Sequence, residues 1–404
     1  MSIELARTFD LSALPPAFYE DPFPYYHALR AYDPVLRLAD GSYFLTRYAD
    51  LAAVYRDTKT FSSDKQIEYG PKYGPDSLLY EHHTTSLVFN DPPLHTRVRR
   101  IIIGALSPKA VAALEPGLIA MVDRLLDDLA VKDDVDLIDD FASTIPIEVI
   151  GNLLGVPYGE RAPLRGWSNA ILSALEPAPS AAVLAAGNRS VEEFLAYLRV
   201  LVAGRRERPG DPERDVLTRL LRGEDDGTRL SEAELLHNCI FLLNAGHETT
   251  TNLIGNGLAA LLDWPAQKQL LLEQPTLIAS AVEEFLRFES SNQLGNRMTT
   301  AAATVGGVPI AARTPLTLCI GAANRDPAQF PEPDVLDVRR SPNRHLGFAS
   351  GPHQCAGLHI ARLEGRIGIS RFLRRFPNYR LRAQPKRGGR ARFRGFLSLP
   401  VHLS

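Results

Sequence analysis

The residues from Ser231 to about Leu262 most constrain what this chain can fold into. Ser231 and Glu234 form the Ser-x-x-Glu pattern of a capping box, which marks the N-terminus of a helix. The apolar sequence that follows predicts a helix of about 31 residues, roughly 45 Å long at 1.5 Å per residue. A helix of that length crosses a whole domain, so the other elements must pack around it.

A polar block interrupts the apolar sequence near the middle of this predicted helix, at Asn244-Ala-Gly-His-Glu-Thr-Thr-Thr251. Buried polar groups are costly unless each has a partner or a task. Gly246 beside Thr249 weakens the helical hydrogen bonds, so we expect a local bulge there. The alternative is a structural kink in which threonine hydroxyls bond back to carbonyls one turn earlier.

The periodicity along the rest of the chain indicates a mainly α fold with minor β-sheet. Apolar residues flank Asp40-Gly41, a dipeptide typical of hairpin turns, within 35–46. Helical periodicity dominates from about residue 92 to 262, and short apolar stretches return at 316–320 and 396–401. We find no repeat and no shift in composition, so we expect one domain spanning residues 1–404.

Charge and cysteine content exclude several classes of function. The chain has 45 basic and 47 acidic residues and a formal net charge of −2, so we expect no nucleic-acid or membrane partner. The N-terminus lacks the pattern of a signal peptide, and no run reaches the ~20 apolar residues of a membrane span. The three cysteines form no Cys-x-x-Cys pair, which disfavours a zinc site and fits the reducing cytoplasm.

One cysteine lies in a distinctive loop, Phe348-Ala-Ser-Gly-Pro-His-Gln-Cys-Ala-Gly357, which precedes a helical pattern. Its glycines allow a tight turn, and Cys355 falls just before a helix N-terminus, where the dipole and free N–H groups stabilise a thiolate. The alternative for a lone cysteine is a small buried hydrophobic residue. We predict that alternative for Cys239 and Cys319.

Two further patterns pair charged residues one helical turn apart. Glu284 and Arg287 can form an ion pair, for which an exposed surface pair is the usual alternative. His95 and Arg99 fall at i and i+4 on one face, where they could jointly bind a carboxylate. A solvated basic face is the alternative for this second pair.

Together and in this order, these patterns resemble the cytochrome P450 superfamily of haem-thiolate monooxygenases, specifically its soluble bacterial members. The resemblance covers nearly the whole chain. It rests on five motifs: His-Thr-Arg-x-Arg-Arg at 95–100, Ala-Gly-x-Glu-Thr-Thr at 245–250, Glu-x-x-Arg at 284–287, Asn-Arg-Asp-Pro at 324–327, and the cysteine loop at 348–357. It implies a triangular helical bundle with small β-sheets, and haem b (iron protoporphyrin IX) as cofactor.

The resemblance implies a role for each matching residue around the haem. Cys355 would be the axial thiolate ligand of the iron. The other residues expected at the haem are Phe348 against its face, His95 with Arg99 and Arg297 with His353 at its propionates, and Ala245, Gly246 and Gly357. By the same resemblance, Glu284, Arg287 and Arg340 would brace the fold.

The resemblance also makes Glu248 and Thr249 an acid–alcohol pair that delivers protons and binds no metal. The cysteine loop at 348–357 departs from the commonest family form at Ala349, Ser350 and Pro352. Because these residues flank Cys355, the departures affect the expected redox potential and partner docking more than the expected ligation. A peroxide-driven oxidant is the enzymatic alternative, but peroxide supplies its own protons, which disfavours it. A haem-thiolate sensor is the other alternative, and it would usually have a second, output domain.

The chain has no Gly-x-Gly-x-x-Gly motif and no cysteine cluster for a flavin or iron–sulfur module. We therefore expect a monomer that takes electrons from an external ferredoxin or flavodoxin with its reductase, and takes O₂ and a small molecule as substrates. Arg97, Arg100, Arg362 and Arg366 could form a basic patch for that donor. The alternative is a solvated helix face.

The substrate pocket is predicted only by position relative to Thr249 and Arg297. The expected lining residues are Phe241, Asn244, Ala245, Asn292, Gln293, Gly295 and Phe396, with the 65–89 loop as a lid. Aromatic walls with several amides predict a mainly apolar substrate that has one polar group.

Overall fold

A computed structural model describes residues 2–212, 215–223 and 229–404. Within these ranges the helices are α1 (Ile3–Arg7), α2 (Pro16–Glu20), α3 (Phe23–Tyr32), α4 (Tyr48–Arg56), α5 (Gln66–Tyr73), α6 (Leu78–Thr85), α7 (Leu94–Ala105), α8 (Pro108–Ala130), α9 (Thr144–Leu154), α10 (Leu164–Ser173), α11 (Ala181–Glu207), α12 (Val216–Arg222), α13 (Glu232–Asp263), α14 (Pro265–Glu273), α15 (Ile278–Phe288), α16 (Ile320–Ala323) and α17 (Leu358–Arg375).

The strands of the described chain are short. They are β1 (Val35–Arg37), β2 (Tyr43–Leu45), β3 (Phe61–Ser62), β4 (Val135–Asp136), β5 (Leu294–Thr299), β6 (Ala303–Val305), β7 (Val308–Ile310), β8 (Pro315–Cys319), β9 (Arg380–Leu381), β10 (Lys386–Arg387), β11 (Phe396–Ser398) and β12 (Pro400–His402). The prediction of a mainly α fold with minor β-sheet is confirmed.

Helix α13 has 32 residues, and the predicted capping box is present. The Ser231 hydroxyl accepts a hydrogen bond from the Glu234 N–H, and the Glu234 carboxylate accepts one from the Ser231 N–H. Most of the helix is buried, because α6, α9, α10, α11, α15 and α17 pack against it. The helix therefore forms the centre of the largest hydrophobic core.

The polar block does not interrupt α13, so the predicted bulge is wrong. The backbone stays helical throughout the block. The Thr249 hydroxyl donates to the Ala245 carbonyl at 2.7 Å, and the Thr251 hydroxyl donates to the His247 carbonyl at 3.0 Å. These are the back-bonds of the alternative interpretation, and they satisfy the hydroxyl donors without breaking the helix.

The largest sheet has the strand order β1-β2-β8-β5-β3. Strands β1 and β2 form the predicted antiparallel hairpin, with Gly41 at a φ of +84° in its turn. Strand β2 pairs with β8 in parallel, and β8 pairs with β5 in the antiparallel direction. Strand β5 therefore lies inside the sheet and holds residues 294–299 in an extended, fixed backbone.

The 65–89 segment, predicted as a loop, is mainly helical. It contains α5, α6 and a single 3₁₀ turn at Leu87–Phe89. Lys65, just before α5, is fully buried and pairs with Glu68 at 2.7 Å, so the segment has its own packing contacts. The helical pattern was obscured because Gly70, Pro71 and Gly74 interrupt its apolar spacing.

No single helix in the described ranges is both long and apolar enough to cross a membrane. Two consecutive helical segments are long and apolar enough for a membrane span only when they are taken together, by length and composition alone: Leu94–Gly104 and Pro108–Ala130, which meet at a 46° bend.

Candidate active site

The loop that contains Cys355 is held by its backbone against neighbouring elements. The Cys355 N–H donates to the Phe348 carbonyl at 2.9 Å, and Gly357 caps the N-terminus of α17. Gly351 has a φ of +71°, and a Cβ at this position would collide with the Tyr55 carbonyl oxygen. Ala349 also has a positive φ, +54°, which is unfavourable for a residue with a side chain.

The Cys355 thiol lies in this loop under opposing electrostatic influences. Burial raises its pKa, whereas the Gly357 N–H and the guanidinium groups of Arg99 and Arg362 act to lower it. Because burial is the larger effect, the helix N-terminus alone does not favour the predicted thiolate. A cation bound to the sulfur would reverse this balance, since metal coordination deprotonates a thiol.

Cys239 and Cys319 are fully buried, as predicted for small hydrophobic residues. Burial raises the pKa of each thiol to about 12. Both therefore stay protonated at neutral pH, and neither lines the large cavity described next.

A cavity of about 2080 Å³ lies between α13 and the Cys355 loop. Most of the residues proposed from the sequence line it together: Cys355, Phe348, His353, Gly357, His95, Arg99, Arg297, Ala245, Gly246, Thr249, Phe241, Asn244, Asn292 and Gly295. Residues more than 250 positions apart in the chain thus meet around one space beside the thiol.

Four basic side chains, His95, Arg99, Arg297 and His353, form a cation cluster at the Cys355 loop. The two imidazole rings are 3.8 Å apart, and Arg99 donates to the Gln354 carbonyl at 2.6 Å. Arg297 is only 6% exposed, donates to the Asn296 carbonyl at 2.7 Å and lies 5.1 Å from the centre of the Tyr55 ring.

Within the described residues no carboxylate forms an ion pair with this cation cluster, although the charge of Asp91 acts on His95 and Arg297. Burial, reinforced by the neighbouring cations, lowers the pKa of His95 to about 4 and that of His353 to about 2. Within the described residues, one ring nitrogen of each histidine and Nε of Arg297 are buried without a hydrogen-bond partner. Buried groups of this kind are costly unless an acceptor fills the gap, so the cluster is suited to bind an anionic group.

A second buried group of charges, the Glu284 triad, consists of Glu284, Arg287 and Arg340. Both side chains of the Glu284–Arg287 pair are fully buried and form two hydrogen bonds, of 2.7 and 2.8 Å. Arg340 adds a contact of 3.1 Å. The alternative of an exposed surface pair is therefore wrong, and the predicted three-residue brace is confirmed.

Glu248 and Thr249 lie on different sides of α13. Thr249 faces the large cavity, whereas the buried Glu248 pairs with Arg390 and lines a second cavity of about 700 Å³. His247 also lines this second cavity, and burial lowers its pKa to about 3. Successive helical residues are rotated by about 100°, which explains the separation of neighbours in the sequence.

Two residues predicted for the substrate pocket lie outside the large cavity. The Gln293 side chain donates to the Ser290 carbonyl at 2.6 Å and packs against Gly321, because it points away from its neighbour Asn292. Phe396 lines the second cavity and lies under the Arg387 guanidinium, 3.9 Å from the ring centre. Both predictions were wrong because side-chain direction alternates along extended backbone.

Two residues of the predicted basic patch, Arg362 and Arg97, form ion pairs within the protein. Arg362 binds Glu283 through two hydrogen bonds, of 2.7 and 2.8 Å, and lies 5.1 Å from the centre of the Phe348 ring. Arg97 pairs with Glu234. Arg100 and Arg366 are exposed. Arg362 therefore supports the cysteine loop and is not a simple solvated charge.

Among the polar residues that line the large cavity and that sequence reasoning missed are four with acidic or basic side chains: His82, His83, Glu364 and Arg392. Burial raises the pKa of Glu364 to about 8, so its carboxyl group is mostly protonated at neutral pH. None of the four belongs to a motif considered above. The adjacent histidines were the one available signal, and they fell in the segment predicted as a loop.

The chain is similar in sequence to known cytochrome P450 proteins. A family model described as cytochrome P450 matches residues 184–400. The chain is 38% identical to cytochrome P450 107B1 of Saccharopolyspora erythraea, over 97% of each protein. It is 40% identical to a vitamin D(3) 25-hydroxylase of Pseudonocardia autotrophica, over 88% of this chain and 86% of that protein.

Solved cytochrome P450 structures match the fold of this chain over nearly its whole length. The structure of P450BioI in complex with an acyl carrier protein ligated to hexadec-9Z-enoic acid superposes with a TM-score of 0.90. The two proteins are 35% identical, and the match covers 96% of this chain and all of the other. CYP109E1 from Bacillus megaterium, in complex with testosterone, has a TM-score of 0.87 at 28% identity, covering 96% and 99%.

Proposed function

This chain belongs to the cytochrome P450 superfamily, and from that membership we propose a specific form of its monooxygenase reaction. The enzyme is an oxidoreductase that incorporates oxygen from O₂, and its cofactor is haem b. In the proposed reaction it inserts one oxygen atom into a small, mainly apolar organic substrate, by hydroxylation or oxidative dealkylation. The large cavity beside Cys355 is the observation on which this proposal rests.

The residues around the cavity fit haem b. One wall provides a thiol, and the neighbouring cation cluster provides buried donors without acceptors, as two propionate groups require. When bound beside a thiolate, haem b would supply the activation of O₂. We propose Cys355 as that ligand and Phe348 as the side chain packed beside it.

The cation cluster would hold the propionates. His95 with Arg99, on one face of α7, would bind one, and Arg297 with His353 would bind the other. Each pair places a guanidinium beside an imidazole, and charge-assisted hydrogen bonds from such groups are stronger than neutral ones. Ala245 has a small side chain and Gly357 has none, and a Cβ at Gly357 would meet no atom within 4 Å, which leaves space for a flat ring. Gly246 also lines the cavity, but its missing side chain makes room for Ile150.

Thr249 and Glu248 would share proton delivery between the two cavities. The Thr249 hydroxyl faces the large cavity and donates to the Ala245 carbonyl, so it can accept a hydrogen bond from water there. It can donate to oxygen once its O–H turns away from that carbonyl. Glu248 faces the second cavity, so it can exchange protons with water there and is held by Arg390. Proton transfer to the Thr249 side then requires the Glu248 carboxyl group to leave Arg390 and turn across the helix.

Electrons would come from an external ferredoxin or flavodoxin with its reductase. Arg100 and Arg366 are exposed and remain the candidates for a docking patch. The three free cysteines are compatible with a reducing environment, so we propose that the protein works in the cytoplasm. We also propose that it is a monomer. Two of the similar solved structures are complexes with a fatty acyl chain on an acyl carrier protein and with testosterone, both largely apolar, which supports a mainly apolar substrate here.

Substitution of the three cysteines tests the proposed ligand. The reduced carbon monoxide complex of the wild type should show the strongly red-shifted Soret band of thiolate ligation. Cys355→Ala should lose this band, while Cys239→Ala and Cys319→Ala should keep it. An unchanged band in Cys355→Ala would overturn the proposal.

Substitution of Thr249 tests the proposed proton delivery. Thr249→Ala should bind haem and substrate normally but consume reducing equivalents without matching product, releasing peroxide. Glu248→Gln should slow turnover more than it uncouples it. Thr84→Ala is the matched control, because it removes the same kind of back-bond, to the Tyr80 carbonyl in α6, outside the lining of both cavities. Tight coupling in Thr249→Ala would assign its hydroxyl a structural role only.

A further inference from the structure

The large cavity contains a buried cation, Arg392, outside the cation cluster. The side chain is only 9% exposed and lines the cavity wall. Its three nitrogens donate to the carbonyls of Leu175 and Leu294, at 3.0 and 2.7 Å, and to the side-chain oxygen of Asn296. All of these acceptors are neutral.

Arg392 has no ion pair with a carboxylate among the described residues. The nearby Glu176 carboxylate instead accepts hydrogen bonds from the backbone N–H groups of Ala391 and Arg392. Glu364 is the one acidic residue that lines this cavity in the described part of the chain, and its raised pKa keeps it mostly neutral. The guanidinium is therefore buried without a direct ion pair in the described residues, and the nearby Glu176 carboxylate is already bonded to two backbone N–H groups, so a further anionic partner would stabilise it.

The hydrogen bonds of Arg392 leave donors free for a ligand. A guanidinium has five N–H donors, and the three nitrogens together use three of them. One N–H remains on each terminal nitrogen. Two such donors are the number that a carboxylate accepts in a bidentate pair.

The neighbourhood of Arg392 is polar, although the cavity as a whole is mainly apolar. Arg392 contributes to the lowered pKa of His83, which lines the same cavity and lies among Tyr69, Tyr73 and Phe89. Several cavity-lining polar atoms have no partner in the described structure, on Ser63, His82, His83, Asn244, Ser291 and Asn292. Most of the other lining residues are apolar, among them many leucine, isoleucine and phenylalanine side chains.

We propose that the substrate is a mainly apolar carboxylic acid whose carboxylate is bound by Arg392, with His83 and Asn292 nearby. The inference rests on the proposed function, because it assumes that the large cavity holds both haem and substrate. It goes beyond that function by naming the charged group that the substrate presents. The apolar body would then extend from Arg392 toward Thr249.

The test compares acids with their own methyl esters on the haem-loaded enzyme. Matched pairs with linear, aromatic and polycyclic bodies, such as tetradecanoic acid and methyl tetradecanoate, are titrated at pH 7.5 and dissociation constants are read from the haem spin-state shift. We expect at least one acid to bind about 10- to 100-fold more tightly than its ester, the range for hydrogen bonds to a charged group.

Two variants assign this preference to Arg392. Arg392→Gln should reduce the acid-to-ester ratio to near one while haem content and the carbon monoxide spectrum stay unchanged. Asn296→Asp keeps the arginine but gives it a carboxylate partner inside the protein, so it should reduce the ratio as well, even if Arg392→Gln fails to fold. Arg374→Gln, at an exposed position of α17, is the control for net charge and should leave the ratio unchanged.

Three results would overturn the inference. Equal binding of every acid and its ester by the wild type would exclude an anion site, as would an acid preference that persists in both variants. Loss of haem from Arg392→Gln would instead assign Arg392 to the propionates. A wild type without the red-shifted carbon monoxide band would refute the proposed function first, which separates the two failures.

Discussion

The Glu284 triad and the cation cluster are both buried groups of charged side chains, but only the triad satisfies its own charges. In the triad, the Glu284 carboxylate also accepts hydrogen bonds from the Asp337 N–H and the Asn343 amide, and Arg287 donates to three further carbonyls. In the cation cluster, Arg297 and both histidines retain buried polar atoms without partners.

This difference separates structural charges from charges that bind a ligand. A complete network stabilises the fold only while every member is present, because the loss of one leaves the others buried and unpaired. An incomplete network costs stability until an outside group completes it. The four predictions below test this distinction and are ordered from the largest expected effect to the smallest.

Removal of the anion from the triad should have the largest effect. Glu284→Gln leaves Arg287 and Arg340 buried without a counter-charge, so the free energy of unfolding should fall by about 3–5 kcal/mol in urea titrations. Glu283→Gln is the matched control, because Glu283 pairs with the partly exposed Arg362 and should cost about 1 kcal/mol or less. Equal losses would show that burial of the pair does not matter.

Removal of a cation from the cluster should affect haem more than folding. Arg297→Gln should release haem to an apoprotein acceptor about 10- to 100-fold faster, since it loses a charge-assisted hydrogen bond of about 1.5–3 kcal/mol. Arg382→Gln, which removes an exposed pair with Asp134, is the control. Normal haem retention together with a triad-like loss of stability would place Arg297 in the structural class.

Glu364 tests a third case, a buried carboxyl group that has no cation beside it in the described residues and no proposed role in binding a charged ligand. Its pKa is raised to about 8 by burial, whereas the unfolded chain has an ordinary value near 4.5. Stability should therefore decrease as pH rises from 4.5 to 8, by up to about 1.4 kcal/mol per pH unit. Glu364→Gln cannot ionise, so its urea midpoint should become higher relative to wild type between pH 5.5 and 7.5. Parallel pH profiles would show that Glu364 is paired.

The smallest expected effect concerns the backbone beside the cation cluster. Ala349→Gly relieves a positive φ but adds flexibility to the unfolded chain, so we expect a net stabilisation of about 0.5 kcal/mol. Arg313→Gly relieves a similar φ of +61° in an exposed turn and should behave alike. A shift of the haem spectrum in Ala349→Gly alone would show that the strain positions the cysteine loop.

Features that depend on neighbours in the chain were predictable from the sequence. The capping box of α13, the hairpin at Gly41 and the pairing of Glu284 with Arg287 each involve residues within a few positions of one another. Such contacts follow from helix and turn geometry whatever the rest of the fold does. The order of motifs then indicated the family and its cofactor.

Features that depend on direction and distant partners required the tertiary structure. Helix geometry turns Glu248 and Thr249 about 100° apart, but only the fold shows that Arg390 and a second cavity lie on the Glu248 side of α13 and the large cavity on the Thr249 side. Likewise, Arg392 became a candidate binding residue only because the fold places it beside Leu175 and Asn296 without an acid. Burial and charge balance are set by residues about 100 or more positions apart, which no local spacing encodes.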